Sequence, residues 1–192
     1  MSIRLLAAAL VAASLSATAV AEPVTYTIDP THTQIEFTYS HFGYSTITGR
    51  FDATEGTVTY DAENPSASSV EITTQIASVS TGVAKLDEHL QKDDFFDAAT
   101  YPTATFKSTK VEDAGDGKLN LTGDLTIKDV TLPASFQVTV NKVGPHPMHK
   151  KPSAGFDATG SIERGAFGIT TYLPATGPEV KLDITNEASV EE

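Results

Sequence analysis

The 192-residue chain contains no cysteine. That absence removes thiol nucleophiles, cysteine-ligated metals and thiol redox chemistry, and an exported domain must then rely on its core rather than on disulfides. Basic blocks are missing as well: 13 Lys and Arg are scattered against 25 Asp and Glu, for a formal net charge of −12. Phosphate backbones need clustered cations, so nucleic acid is a poor partner, and electrostatic docking on anionic lipid is disfavoured for the same reason. The apolar stretch near the N-terminus is short for spanning a bilayer, and no later segment approaches the ~20 apolar residues that a spanning helix needs, which argues against stable membrane insertion. Catalytic signatures are lacking too. Neither Gly-x-Ser-x-Gly nor His-Glu-x-x-His occurs, and the acidic pairs resemble a solvated surface.

What is present begins with an export signal. Arg4 supplies a charged start, Leu5 to Leu15 a short apolar stretch, and Ala19-Val20-Ala21 a small-x-small cleavage site before Glu22. No cysteine follows the apolar stretch, so a lipoprotein anchor is not supplied. The expectation is a signal peptide over residues 1–21, removed on export, and one periplasmic domain over residues 22–192.

Beyond the leader the chain alternates with period two, the mark of strands with one apolar face. Ile35, Phe37, Tyr39 and His41 share a face, then Ile47, Gly49 and Phe51. A phase change near Glu55-Gly56 suggests a bend before Val58 and Tyr60. Val70, Ile72, Thr74 and Ile76 alternate next. After the interruption described below come Ala104, Phe106 and Ser108, then Leu119 to Ile127, Ala134 to Val140, Phe156 to Ile162 and Val180 to Ile184. The turns fall at Gly115-Asp116-Gly117 and Lys128-Asp129. This gives eight antiparallel strands of roughly 8–15 residues with no βαβ unit. A sandwich and an up-and-down barrel both satisfy the pattern. Long strands and the inward-phase glycines Gly49, Gly123 and Gly160 favour the barrel, which at eight strands is just wide enough for one slender ligand.

The interruption runs from Ser78 to Ser108 and holds the convincing internal helix. Val83, Leu86 and Leu90 follow i, i+3, i+7, and Tyr101-Pro102 restarts extended chain. This stretch also carries the sharpest motif. Ser78-Val79-Ser80-Thr81-Gly82, Asp87-Glu88-His89-Leu90, Asp94-Phe95-Phe96-Asp97 and Tyr101-Pro102 occur in order. They join Asp29-Pro30-Thr31-His32-Thr33, Gly49-Arg50-Phe51, Gly123-Asp124-Leu125-Thr126, Arg164 with Phe167-Gly168, and Glu187-Ala188. The ordered set resembles the YceI-like family over essentially the whole mature chain.

That resemblance implies an all-β, lipocalin-like barrel in the periplasm, with one short helix between strands 3 and 4. It implies a carrier or store for a polyisoprenoid, such as an isoprenoid quinone or its precursor, or for a related long-chain amphiphile. The partner is then a small-molecule lipid. No cofactor is expected other than such a bound quinone or polyprenyl lipid, and a homodimer is compatible with the pattern. One departure stands out: the resemblance implies an arginine, usual in the family, just before the Asp-x-His-Leu motif, and here that position is Leu86.

The candidate lining comprises Phe37, Tyr39, Phe51, Ile72, Ile76 and Phe106, with Leu125, Phe136, Phe156 and Phe167. Ile35, Ile47 and Val138 share its phase. On pattern alone these residues read as filled core; the resemblance turns them into a tail-binding wall. Leu86, Leu90, Phe95 and Phe96 either cap the barrel mouth or seal the helix onto it. His41 and His89 either contact a polar head group or make structural bonds, His89 beside Asp87. Arg164 either anchors a phosphate or bonds loop carbonyls. His146-Pro147-Met148-His149 offers two imidazoles and a thioether but no evident third ligand, so a solvated loop is the default and no metal is expected. Two further functions stay open: a non-catalytic envelope stress or interaction protein with a filled core, and a hydrolase or isomerase using His41 or His89 as base.

Overall fold

The computed structural model describes residues 22–191; the expected export signal lies outside the described residues. Eleven strand segments and one helix appear in chain order. The first six are β1 (Val24–Ile28), β2 (Gln34–His41), β3 (Ser45–Phe51), β4 (Thr54–Tyr60), β5 (Ser69–Gln75) and β6 (Val79–Ser80). Helix α1 (Ala84–Leu90) follows. The long strands are β7 (Thr103–Gly115), β8 (Lys118–Ile127), β9 (Val130–Pro145), β10 (Pro152–Glu163) and β11 (Glu179–Ser189). Hydrogen bonding runs β1-β4-β5-β7-β8-β9-β10-β11, and β11 closes onto β1. β2, β3 and β6 prolong β1, β4 and β5 toward the helix-bearing end, where β11 also pairs with β2. The segments therefore form eight long antiparallel strands in sequential order around a closed barrel, with α1 between the third and fourth. Closure leaves the eight-strand ring without free edges.

Local chemistry explains each break. Between β1 and β2, Pro30 cannot donate a ladder bond. Asp29 organises the turn: its Oδ1 accepts from Thr31 N (2.8 Å) and Thr31 Oγ1 (2.6 Å), and its Oδ2 lies 2.8 Å from His32 Nδ1. The Thr31 bond first, and the His32 bond next, hold the Asp29 carboxyl down at about 2 against an ordinary value of 3.8. The same Asp29 bond raises the His32 imidazole above 6.5. The signs are opposite. The depressed carboxyl stabilises the fold above pH 3.8 and loses that effect as pH falls through about 2. The raised imidazole contributes fully below 6.5 and is lost as pH rises through its folded value. His32 is exposed and Asp29 partly so, and solvent screening keeps the effect small. The stability gap between wild type and Asp29→Asn should be widest between about pH 4 and 6.5. A pH series of thermal melts checks this; a gap independent of pH would refute it.

The second break lies at Asp52-Ala53, three residues before the expected Glu55-Gly56. The inward face passes from odd numbering at Phe51 to even numbering at Thr54, both buried. The neighbouring strand breaks beside it in the turn Ile76–Ser78, joined by Asp52 N to Ser78 O (3.2 Å) and Gln75 N to Ala53 O (2.9 Å). Two aligned breaks make a corner in the wall. Val83 also departs from expectation. It is the exposed residue at the start of α1, while Leu86 and Leu90 face inward.

Inside the barrel, three phenylalanine rings lie flat on the wall. Each covers a glycine of the adjacent strand: Phe37 over Gly49, Phe106 over Gly123 and Phe136 over Gly160. A Cβ at any of the three would meet ring atoms at 3.0 Å or less. Rings laid over bare backbone leave the barrel axis unfilled. Consistent with that, Ile72, Leu121, Leu125, Leu182 and Ile184 point inward yet are only half-buried. In a filled core they would be fully covered.

Candidate functional site

The unfilled axis is a cavity of about 380 Å³, within the 300–1,000 Å³ of ordinary ligand sites. Its wall is almost wholly apolar. It extends from Tyr60, Val111 and Leu119 near the β7–β8 turn to Leu86, His89 and Tyr172 near α1. Among the described residues no Asp, Glu or Lys lines it, in a chain that carries 25 acidic residues.

The structure brings together most of the residues expected there. Phe37, Tyr39, His41, Phe51, Ile72 and Ile76 line the cavity, as do Phe106, Leu125, Phe136 and Phe156. So do Leu86, Leu90, Phe95 and Phe96, which both close the helix-bearing end and seal α1 onto β2 and β3. Phe51 meets Phe96 edge-on at 5.7 Å across that seal. Phe167 is the exception. The 3-10 turn Arg164–Phe167 breaks the alternation, and its ring is buried with Ile127 and Ile169 rather than toward the cavity. Tyr60, Leu121, Leu182, Ile184 and Asn186 also line the wall and were not singled out from the sequence. Their inward phase was visible; their difference from filling residues was not.

Arg164 is 8% exposed and lines the cavity. Its guanidinium bonds loop carbonyls. Nε donates to Gly177 O (3.0 Å), Nη1 to Ile169 O (2.8 Å), and Nη2 to Thr171 O (2.9 Å), Thr176 O (2.7 Å) and Thr176 Oγ1 (2.9 Å). Burial lowers its pKa and nearby Tyr39 partly offsets this, while burial raises that of Tyr39. A cation held by neutral carbonyl and hydroxyl dipoles leaves positive potential at this end of the cavity.

His89 pairs with Asp94, not with Asp87: Nε2 lies 3.0 Å from Asp94 Oδ2, and the ring meets Phe95 edge-on at 4.9 Å. Asp87 instead accepts from Thr81 N (2.7 Å) and Thr81 Oγ1 (2.6 Å), clasping the chain before α1. The start of α1 has no side-chain cap, so this clasp substitutes for one. Asp87→Ala should lower stability by about 1–2 kcal/mol by orphaning the Thr81 N–H. Asp87→Asn, which keeps an acceptor, should cost less in the same denaturant titration.

The third partner for the His146 and His149 loop is Glu187, whose Oε1 lies 3.4 Å from His146 Nε2. The three ligand groups fall within 4.8 Å of one another. The two rings are stacked at 4.0 Å and 9° to each other, so their in-plane lone pairs do not converge on one ion. Both Nδ1 atoms already accept backbone N–H groups. The arrangement is a hydrogen-bonded loop at the far end from α1.

A closed eight-strand barrel with a continuous apolar cavity and a helix across one end defines a small lipocalin-like binding fold. The YceI-like domain model matches residues 26–188, and the chain belongs to that family. Protein YceI of Escherichia coli O157:H7 is 41% identical over 156 residues, 81% of each chain. Among solved structures, Burkholderia cenocepacia BcnA superposes with a TM-score of 0.76 at 27% identity, covering 84% of this chain and 99% of its own. A polyisoprenoid binding domain from Saccharophagus degradans shares the fold, with a TM-score of 0.67 at 16% identity over 86% of this chain and 98% of its own. No helix among the described residues is long and apolar enough to cross a membrane.

Proposed function

We propose that this protein is a non-enzymatic periplasmic carrier that holds a polyisoprenoid, such as an isoprenoid quinone or its precursor, or a related long-chain amphiphile, in the barrel. The observation that carries the reading is the continuous apolar cavity bounded by half-buried inward side chains and free of carboxylates. Each CH₂ taken from water into such a wall contributes roughly 0.8 kcal/mol, so several isoprene units outweigh the cost of immobilising the chain. Arg164 sets the polarity of the ligand. Its positive potential favours an electron-rich head group, a carbonyl or phosphate, at the α1 end and disfavours cationic amphiphiles. Leu86 lines the same cavity as an apolar side chain, and Arg164 is the cation of its wall among the described residues. The Ala19-Val20-Ala21 site supports export.

Mass spectrometry of an organic extract from protein purified out of its native envelope is the direct test, paired with two variants. Phe106 lies on the cavity wall and meets Phe136 edge-on at 5.3 Å, whereas Lys107 points out to Glu71 at 3.2 Å. Phe106→Ala should change the amount or identity of co-purified lipid while strand content survives, and Lys107→Ala should change neither. If wild type carries no lipid and takes up no polyprenyl compound, or if both variants keep the wild-type profile, an interaction protein becomes the better account.

A further inference from the structure

Residues 37–49 and 165–178 contain no Asp, Glu, Lys or Arg, although 20% of the chain is charged. The fold brings these two stretches together at the α1 end. Phe42 N donates to Ala175 O (3.0 Å), Gly177 N donates to Ser40 O (2.7 Å), and His41 bridges to Thr176. The joined surface displays aromatic side chains: Phe42 is 49% exposed, Tyr44 93% and Tyr172 55%. Among the cavity-lining residues, His41 and Tyr172 are exposed here, so the cavity reaches the surface beside them.

Two of the three aromatics sit on unfavourable backbone. Phe42 has φ of 53° and Tyr172 has φ of 61°. Bulky L-residues rarely adopt that left-handed region, and glycine would occupy it without strain. The chain therefore keeps large apolar rings where the backbone resists them and where about half of each ring's residue faces solvent. Phe42 meets His41 edge-on at 4.7 Å and Tyr172 lies 6.3 Å from the His89 and Phe95 rings, yet both stay half exposed, and such strain clusters at ligand clamps and other functional sites. The platform is also stiff. Arg164 ties its loop through four carbonyls, and Thr171 Oγ1 donates to Asp94 O (2.7 Å) to fasten it to the α1 segment.

We propose that this uncharged aromatic rim docks reversibly on a zwitterionic bilayer surface, so that an amphiphile passes between membrane and cavity without crossing water. Aromatic side chains favour the headgroup zone, where the ring is desolvated and any hydroxyl stays wet. A chain of net charge −12 is repelled by anionic lipid. The two segments carry no carboxylate of their own; beside them on the α1 segment lie exposed Asp93 and the Asp94–His89 pair. The proposal rests on the carrier reading for its purpose, not for its test.

The test uses vesicle flotation and micellar loading side by side. Wild type should float with phosphatidylcholine vesicles, and added phosphatidylglycerol should weaken the binding. Phe42→Gly combined with Tyr44→Ser removes two rings that do not line the cavity. It should weaken vesicle binding about tenfold, since affinity follows the apolar area inserted. The same variant should take up polyprenyl alcohol from detergent micelles as wild type does. It should melt no lower than wild type, because glycine relieves position 42. Absence of wild-type flotation, equal flotation of the variant, or a requirement for charged lipid would overturn the proposal. So would a concentration-dependent dimer in solution that the variant abolishes, which would make the rim an interface between copies. Flotation without polyprenyl uptake would instead remove the carrier reading and leave docking standing.

Discussion

Replacing Arg164 by methionine should lower the melting temperature by about 10 °C, the largest loss expected from a single surface-to-core contact in this barrel. The estimate follows from what the guanidinium does. It satisfies the carbonyls of Ile169, Thr171, Thr176 and Gly177 and the hydroxyl of Thr176. Each buried acceptor left without a donor costs about 1–3 kcal/mol, and water entering the loop recovers part of that. A net loss of about 4 kcal/mol is therefore reasonable for four carbonyls. Methionine fills much of the volume, so the effect reports lost donors rather than a cavity. Arg164→Lys should fall between the two, because an ammonium offers three protons and no planar fork. Limited proteolysis locates the damage: cleavage should appear first within residues 165–178. An unchanged melting temperature in Arg164→Met would show that the loop holds itself.

That loop also marks the limit of what the sequence makes legible. Where backbone pairing is regular, side-chain direction follows from period two alone. Phe37, Ile72, Phe106, Leu125 and Phe136 all face the axis as their spacing predicts. Direction is lost where pairing is interrupted by contacts distant in sequence. Phe167 turns away because a 3-10 turn begins at Arg164, and nothing in the alternation announces it. The inward phase slips at Asp52-Ala53 because the adjacent strand turns at Ile76–Ser78, a constraint supplied by a neighbour more than twenty residues away. Glycine near Glu55 is the more visible local signal, and it points three residues too far. His89 finds Asp94 across the end of α1 rather than Asp87 on its own turn, since i and i+2 do not share a helix face. Glu187 meets His146 only because β10 and β11 are paired.

Hollowness is the property that pattern reading reaches last. A filled barrel and an empty one share the same alternation, and the inward glycines hint at the difference without fixing it. The structure supplies the reason: each of these glycines is the floor for a phenylalanine ring. This suggests a sharp test at Gly49, which sits directly opposite Phe37 and whose added Cβ would meet the Phe37 ring and the Thr81 methyl first. Gly49→Ala should push the ring off the wall toward the axis. Overpacking of this kind costs about 1–3 kcal/mol, against the roughly 0.5–1 kcal/mol that alanine gains over glycine within a strand. The displaced ring should also reduce the lipid the barrel accepts. In a Phe37→Leu background the closest clash is removed and the Thr81 methyl at 2.9 Å remains, so Gly49→Ala should there cost clearly less. A double-mutant cycle in denaturant measures the coupling, expected at about 1–3 kcal/mol for groups in direct contact. Lipid uptake measured on the same four proteins separates stability from capacity. Capacity should fall in Gly49→Ala and recover in the double variant. If Gly49→Ala costs the same in both backgrounds, or loads as much lipid as wild type, the rings do not hold the cavity open, and the space along the axis must be kept by the curvature of the strands instead.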